Sequence, residues 1–281
     1  MTPAEFNLWL TDPQRRALVM GVLNVTPDSF SDGGRHFPTD AALARAAQMA
    51  DEGADLIDVG GESTRPGSDA VDDDEQIRRV VPVITEVAKR IPLVISIDTT
   101  RAAVAQAALD AVAHVVNDIS AGTDDPDLFP LVARRRAPVI LMHMQGRPKT
   151  MQQNPFYEDV TAEVAGFLNE RLVTAGIHGI DLERILLDPG IGFGKSTQHN
   201  LELLRRLMEL TVLGRPIVIG TSRKRFVSQV TGEGGDDPSQ RLFGTAATVA
   251  WSLANGAAIV RVHDVGPMRC VVRMIDAIIG R

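Results

Sequence analysis

The chain has a single cysteine in 281 residues, Cys270, so no internal disulfide can form, and a lone thiol fits a reducing compartment. It lacks any excess of positive charge. With 29 Lys and Arg against 36 Asp and Glu, the net charge of −7 gives no general footing for nucleic acid, whose backbone demands clustered cations. An anionic ligand would need cations gathered locally against this acidic background. Also missing are an uninterrupted apolar run of about 18 residues and, in residues 1–10, a basic start followed by an apolar core. Neither membrane spanning nor export is expected, and a cytoplasmic protein is. Cysteine and histidine do not fall at zinc-ligand spacing, and the thiol lies in the last helical stretch, which sets aside structural zinc and a cysteine nucleophile. No G-x-G-x-x-G follows the first strand. The Gly194-Lys195-Ser196 run is not a P-loop either, because Pro189 stands where that motif needs a glycine.

What is present is ample apolar material, at 44% hydrophobic residues and a mean hydropathy of +0.01, enough for a sizeable core. It is distributed in a repeating unit of a short apolar run, a polar end and a helical stretch. Strands are expected at residues 18–23, 56–60, 93–98, 112–118, 138–142, 185–188, 216–220 and 259–262. Helical stretches are expected at 40–52, 74–90, 101–109, 160–175, 199–210 and 239–255. Alternation of this kind implies right-handed βαβ crossovers and a parallel sheet. A doubly wound open sheet competes, but eight units without a dinucleotide fingerprint favour closure into a TIM-type (β/α)8 barrel. The expectation is a single α/β domain over residues 1–281, with 1–16 as an N-terminal extension.

In such a barrel the loops after the strands converge on the carboxyl-end face, so polar strand ends belong to one site. Those ends read Asn24, Asp58, Asp98, Asn117, Met142-His143, Asp188, Ser222-Arg223-Lys224 and Arg261-x-His263. Arg261 and His263, two apart on one strand, project to the same face. With Lys224, and with Arg65 from the loop after the second strand, they make four candidate cations around one anion site. Taken alone, Arg223 or Lys224 reads as a solvated charge at a helix start. Asp98, Asn117 and Asp188 offer acceptors and one amide with both functions, which suits an amino-pyrimidinone ring. In the polar stretch 24–34, Phe30 stands out as an aromatic beside an amide and two aspartates that could hold a metal or a substrate.

The motifs MGVLNVTPDSFSDGG, DVGGESTRPG, ISIDT, VVNDIS, LMHMQGRPKTMQ, LLDPGIGFGK, GTSRK and IVRVHDV, in that order, resemble those of the bacterial dihydropteroate synthases over nearly the whole chain. The resemblance implies condensation of 6-hydroxymethyl-7,8-dihydropterin pyrophosphate with 4-aminobenzoate, giving 7,8-dihydropteroate and pyrophosphate in folate biosynthesis. It implies an enzyme that is a sulfonamide target, uses Mg²⁺ and forms a homodimer through late helices such as 266–279. The pterin pocket would fall on Asp98, Asn117, Met142, Asp188 and Lys224, with Arg261 stacked on the ring and Phe193 near its edge. Pyrophosphate would meet Asn24, Thr64, Arg65, Arg261 and His263, with Asn24 also on the metal. Aminobenzoate would lie between Phe30, Pro66, Phe193 and Lys224, its carboxylate on Ser222. Asp98, Lys224, Arg261 and His263 would carry the catalysis, and the loop 26–34 would close over the bound ligands. Two related readings are a methyltetrahydrofolate-corrinoid methyltransferase and a non-catalytic pterin-binding paralogue. Thr64-Arg65 and Arg261-x-His263 argue against the first, which has no pyrophosphate to hold, and the intact anion groups with the TPDSFSDGG loop argue against the second.

Overall fold

The computed structural model describes residues 1–26, 37–63, 71–235 and 237–280. Eight parallel strands close into a barrel in sequence order, β1 (Leu18–Asn24), β2 (Leu56–Gly60), β3 (Val94–Asp98), β4 (Val115–Asp118), β5 (Val139–Met142), β6 (Ile185–Asp188), β7 (Ile217–Ile219) and β8 (Ala257–Val262). Successive side chains on a strand face opposite ways, and the strands use this to build two cores. Outward residues such as Val19, Ile57, Val59, Ile95, Val116, Leu187 and Val260 pack under the surrounding helices. Inward residues Leu18, Met20, Leu56, Val94, Val115, Ile140, Leu186, Val218 and Ile259 fill the barrel itself.

Three side chains of the segment 1–16 join that inner core. Helix α1 (Pro3–Thr11) starts from a capping box in which Thr2 and Glu5 satisfy each other's backbone N–H, with Pro3 in the first turn. Its Phe6, Trp9 and Leu10 are buried against the inward layer and stopper the amino-end face. Phe6 and Trp9 stack at 5.6 Å between centroids, and the indole N–H donates to Arg16 O at 2.8 Å.

The outer helices are α2 (Phe37–Asp51), α3 (Asp73–Arg90), α4 (Ala102–Asp110), α5 (Leu128–Arg135), α6 (Val160–Ile177), α7 (Thr197–Arg205), α8 (Arg225–Thr231), α9 (Leu242–Ala254) and α10 (Val265–Ile279). Three differences from the sequence expectations have local causes. The strand expected from residue 112 begins at Val115, because Val112 takes φ 76° in the turn that ends α4. The helix expected at 199–210 starts earlier, at Thr197, capped by Ser196, and passes into a separate 3-10 turn, Leu207–Leu213. The expected 239–255 helix is likewise a 3-10 turn, Pro238–Arg241, capped by Asp237, followed by α9. Among the described residues no helix is long and apolar enough to cross a membrane.

Register carries the fold into the site. Asn24 is paired with Gly60, Gly60 with Asp98, and Asp98 with Asn117, so these positions stand on one level at the carboxyl end. On the opposite side of the barrel, Met142 is paired with Asp188 on the neighbouring strand.

Candidate functional site at the carboxyl end of the barrel

The centre of the carboxyl-end face is a charged network built on Arg261. Its Nε donates to Asp58 Oδ2 and its Nη2 to Asp98 Oδ2, each at 2.7 Å. Asn117 Nδ2 donates to the same Asp58 oxygen at 3.0 Å. Asp58 was legible as a polar strand end but was given no role. It is wholly buried on the inward face of β2, and its second oxygen, Oδ1, has no partner among the described residues. The inward position follows from parity with Leu56, two residues earlier on the same strand.

This crowding perturbs the ionisable groups. Burial pushes the Asp98 carboxyl up to about 7; Arg261 opposes the shift and Asp58 adds to it. Burial also works against the charge of Arg261, but Asp58 and Asp98 more than offset it, and the guanidinium is held above its ordinary value. Asp188, at the end of β6, is raised by burial while Gly190 N–H, donating to its Oδ1 at 2.7 Å, and the charges of Lys224 and Arg261 pull it back. Asp118, next to Asn117, lies outside this group. It accepts from Ser120 N and Oγ and from Gly122 N, which organises its own loop.

On the other side of the mouth, Lys224 caps α8, and its ammonium lies 4.2 Å from the centroid of the Phe193 ring and donates to Ile191 O. Burial, with repulsion from Arg261, brings this lysine down to about 7 against the pull of Asp188. It is therefore not a solvated helix-start charge. Arg223 is paired with Asp264 at 2.5 and 3.0 Å. Ser222 Oγ accepts from His263 N and contacts His263 Nδ1, both at 3.1 Å, which joins the ends of β7 and β8.

The structure thus gathers Asn24, Asp98, Asn117, Met142, Asp188, Phe193, Ser222, Lys224, Arg261 and His263 at one end of the barrel, by the register above and by the contacts just given. Phe30, Thr64, Arg65 and Pro66, and the loop expected to close, lie outside the described residues. Sequence reasoning passed over Lys195. Dismissed with the failed P-loop, it is 2% exposed and bonded to both loops beside Asp188.

Arranged this way, the site presents carboxylate and amide acceptors on one wall, an aromatic ring with a cation on the other, and an arginine between them. Such a set can hold a flat polar heterocycle by its edge and stabilise a departing anion.

The pterin-binding enzyme family matches residues 20–263. A dihydropteroate synthase from Synechocystis is 45% identical over 96% of this chain and 92% of its own length. Among solved structures, that of Xanthomonas albilineans dihydropteroate synthase with 4-aminobenzoic acid superposes with a TM-score of 0.89 at 45% identity, covering 95% of each chain. That of the Yersinia pestis enzyme with a sulfonamide drug complex gives 0.88 at 43% identity, covering 94% of each.

Proposed function

The chain belongs to the dihydropteroate synthases among the pterin-binding enzymes, and from that premise we propose how its own residues divide the work of joining a dihydropterin pyrophosphate to 4-aminobenzoate. Asp98, Asn117 and Asp188 bind the pterin by its edge, beside Met142. The observation that supports this is their placement: two on one level of the barrel, the third across it, all buried and all at the carboxyl ends of strands within one residue of the last. The guanidinium of Arg261, fixed by two carboxylates, offers its face to the ring and keeps Nη1 outside those bonds. His263 and Arg65 complete the anion site with Thr64. Phe193 and Lys224, with Phe30 and Pro66, flank the aminobenzoate, whose carboxylate meets Ser222.

In the reaction the amine nitrogen of aminobenzoate forms a bond to the exocyclic methylene of the pterin as the carbon–oxygen bond to pyrophosphate breaks, and the nitrogen gives up one proton to water. The ring spreads the positive charge that develops on the methylene. The protein contributes orientation and stabilisation of the departing charge by fixed cations. No covalent enzyme intermediate is needed.

The described residues hold no group of three or more His, Cys, Asp or Glu able to bind a metal. What fits Mg²⁺ is the amide oxygen of Asn24 at the end of β1, since this ion is commonly held by one or two protein oxygens together with phosphate oxygens and waters. Bound there, it offsets charge on the pyrophosphate.

The enzyme is further proposed to be a homodimer. Exposed Phe243 on α9 and Met274 and Ile278 on α10 leave apolar side chains in water on two adjacent helices. Sedimentation of Phe243→Glu with Ile278→Glu should give a monomer where the parent gives a dimer. A cytosolic location goes with this reading, in which exposed Cys270 stays a free thiol.

The assignment of the pterin wall is tested with Asp188→Asn. Loss of charge-assisted bonds costs about 1.5–3 kcal/mol, roughly tenfold to over a hundredfold in affinity. Calorimetry with a pterin should show that loss in a protein that still melts cooperatively. Unchanged affinity would remove Asp188 from the pocket.

A further inference from the structure

Lys195 is buried, and among the described residues no carboxylate lies within hydrogen-bonding distance of it. Its ammonium contacts Gly190 O at 2.9 Å, Phe193 O at 3.0 Å, His143 Nδ1 at 2.9 Å and His143 O at 3.3 Å. Burying an ammonium is costly unless all its donors are used, and here they are used on backbone and imidazole acceptors from two different loops. One loop follows β5 and begins at His143. The other, residues 189–196, follows β6 and carries Phe193.

The rest of the contact between these loops has the same character. Gln152 Nε2 donates to Gly192 O at 2.7 Å, and the Tyr157 hydroxyl to Gly194 O at 2.9 Å. Gly190, Gly192 and Gly194 have φ of 69°, 81° and 61°. A Cβ on Gly190 would lie 1.8 Å from His143 O and one on Gly194 2.2 Å from Gln145 O, so the backbones touch with no room for a side chain. Lysine suits the hub because its ammonium directs three donors in three directions, whereas an arginine fork is planar. What this hub holds in place is Phe193, whose ring Lys224 overlies while bonding to Ile191 O in the same loop. On the pterin wall, Asp98 and Asn117 are fixed separately, through Arg261 and Asp58, and Asp188 accepts from Gly190 N–H, a bond in which the Lys195 side chain takes no part.

We propose that Lys195 is a positioning residue for the aromatic-amine half of the site: by tying the loop after β6 to the loop after β5 it sets where Phe193 stands, while Asp98 and Asn117 on the pterin wall keep their own support. This rests on the assignment of 4-aminobenzoate to the Phe193 side given above.

The test compares Lys195→Met with the parent enzyme in two readouts, KM for 4-aminobenzoate and calorimetric affinity for a pterin. The expected result is a KM for 4-aminobenzoate raised about tenfold or more, equivalent to about 1.4 kcal/mol, with pterin affinity within about threefold of the parent. Equal weakening of both ligands would reduce Lys195 to a general structural role and overturn the proposal, as would an unchanged KM. Tyr157→Phe, which removes only the hydroxyl bonded to Gly194 O, covers the case in which Lys195→Met does not fold. It should raise the same KM about two- to threefold and leave pterin affinity alone, and an unchanged KM there also overturns the proposal. A wrong assignment of the amine side is told apart by Phe193→Ala, because that variant would then leave the KM for 4-aminobenzoate unchanged.

Discussion

Substituting Asp58 by Asn keeps the shape of the side chain and removes its charge, which isolates what the buried carboxylate does for Arg261 and Asp98. An amide oxygen in the place of Oδ2 still accepts from Arg261 Nε and Asn117 Nδ2. The amide nitrogen falls where Oδ1 now stands without a partner among the described residues. At pH 5 the Asp98 carboxyl, raised to about 7, is protonated, so the pairing of the buried Arg261 falls to Asp58. Removing such a partner costs about 3–5 kcal/mol. At pH 8 Asp98 is ionised and still pairs with Arg261, and the repulsion between the two carboxylates is relieved, so the cost falls to about 1–3 kcal/mol. The sign agrees with proton linkage. A carboxyl raised in the folded state holds its proton more tightly than the unfolded chain does, so the parent loses stability as pH rises from about 4 toward 7. With Asp58 neutral, Asp98 titrates lower and that loss shrinks. Urea unfolding of parent and variant at the two pH values measures the costs, and carboxyl carbon NMR follows Asp98. A cost larger at pH 8 than at pH 5, or an Asp98 titration that does not move down, would refute the coupling.

Three further outcomes follow from the geometry. Trp9→Ala at the closed end should cost about 3–5 kcal/mol in urea unfolding and leave kcat unchanged, because the stopper and the site are at opposite ends of the barrel. A fall in kcat at full folding would show that α1 reaches the site. Gly190→Ala should abolish pterin binding, since a Cβ 1.8 Å from His143 O would push aside the backbone whose N–H bonds Asp188 Oδ1, a displacement that loss of the Lys195 ammonium does not force, whereas Gly179→Ala, with φ 84° and nothing within 4 Å, should cost only about 1–2 kcal/mol for the left-handed backbone. Comparable pterin affinities in the two variants would contradict the role of Gly190 N–H in holding Asp188.

The barrel was legible because each strand is a short apolar run ending in a polar residue, and only a closed parallel sheet uses eight such ends at once. The same ends brought Asn24, Asp98, Asn117 and Asp188 to one face before any coordinates. What the strand pattern could not show was which side chain bonds which. Arg261 read as a free cation for an anion, but it is already held by two carboxylates, one of them the unassigned Asp58. Its partners are far away in sequence and meet it only through the stagger of the closed sheet. Lys195 was illegible for a related reason. A lysine after a glycine reads as exposed, and its burial depends on His143, which stands 52 residues earlier. Helix α1 went unread as a structural element, since its apolar residues find their partners only in the barrel interior. Helices α5 and α8 are short, at 8 and 7 residues, and gave too few turns for a periodic signal.

The most direct measurement of the central claim is pyrophosphate release by the purified chain in the presence of Mg²⁺, with dihydropterin pyrophosphate and 4-aminobenzoate added singly and together. The account predicts release only when both are present, with dihydropteroate formed in equal amount. Release that ignores the amine, or no release with both substrates at saturation, would contradict it.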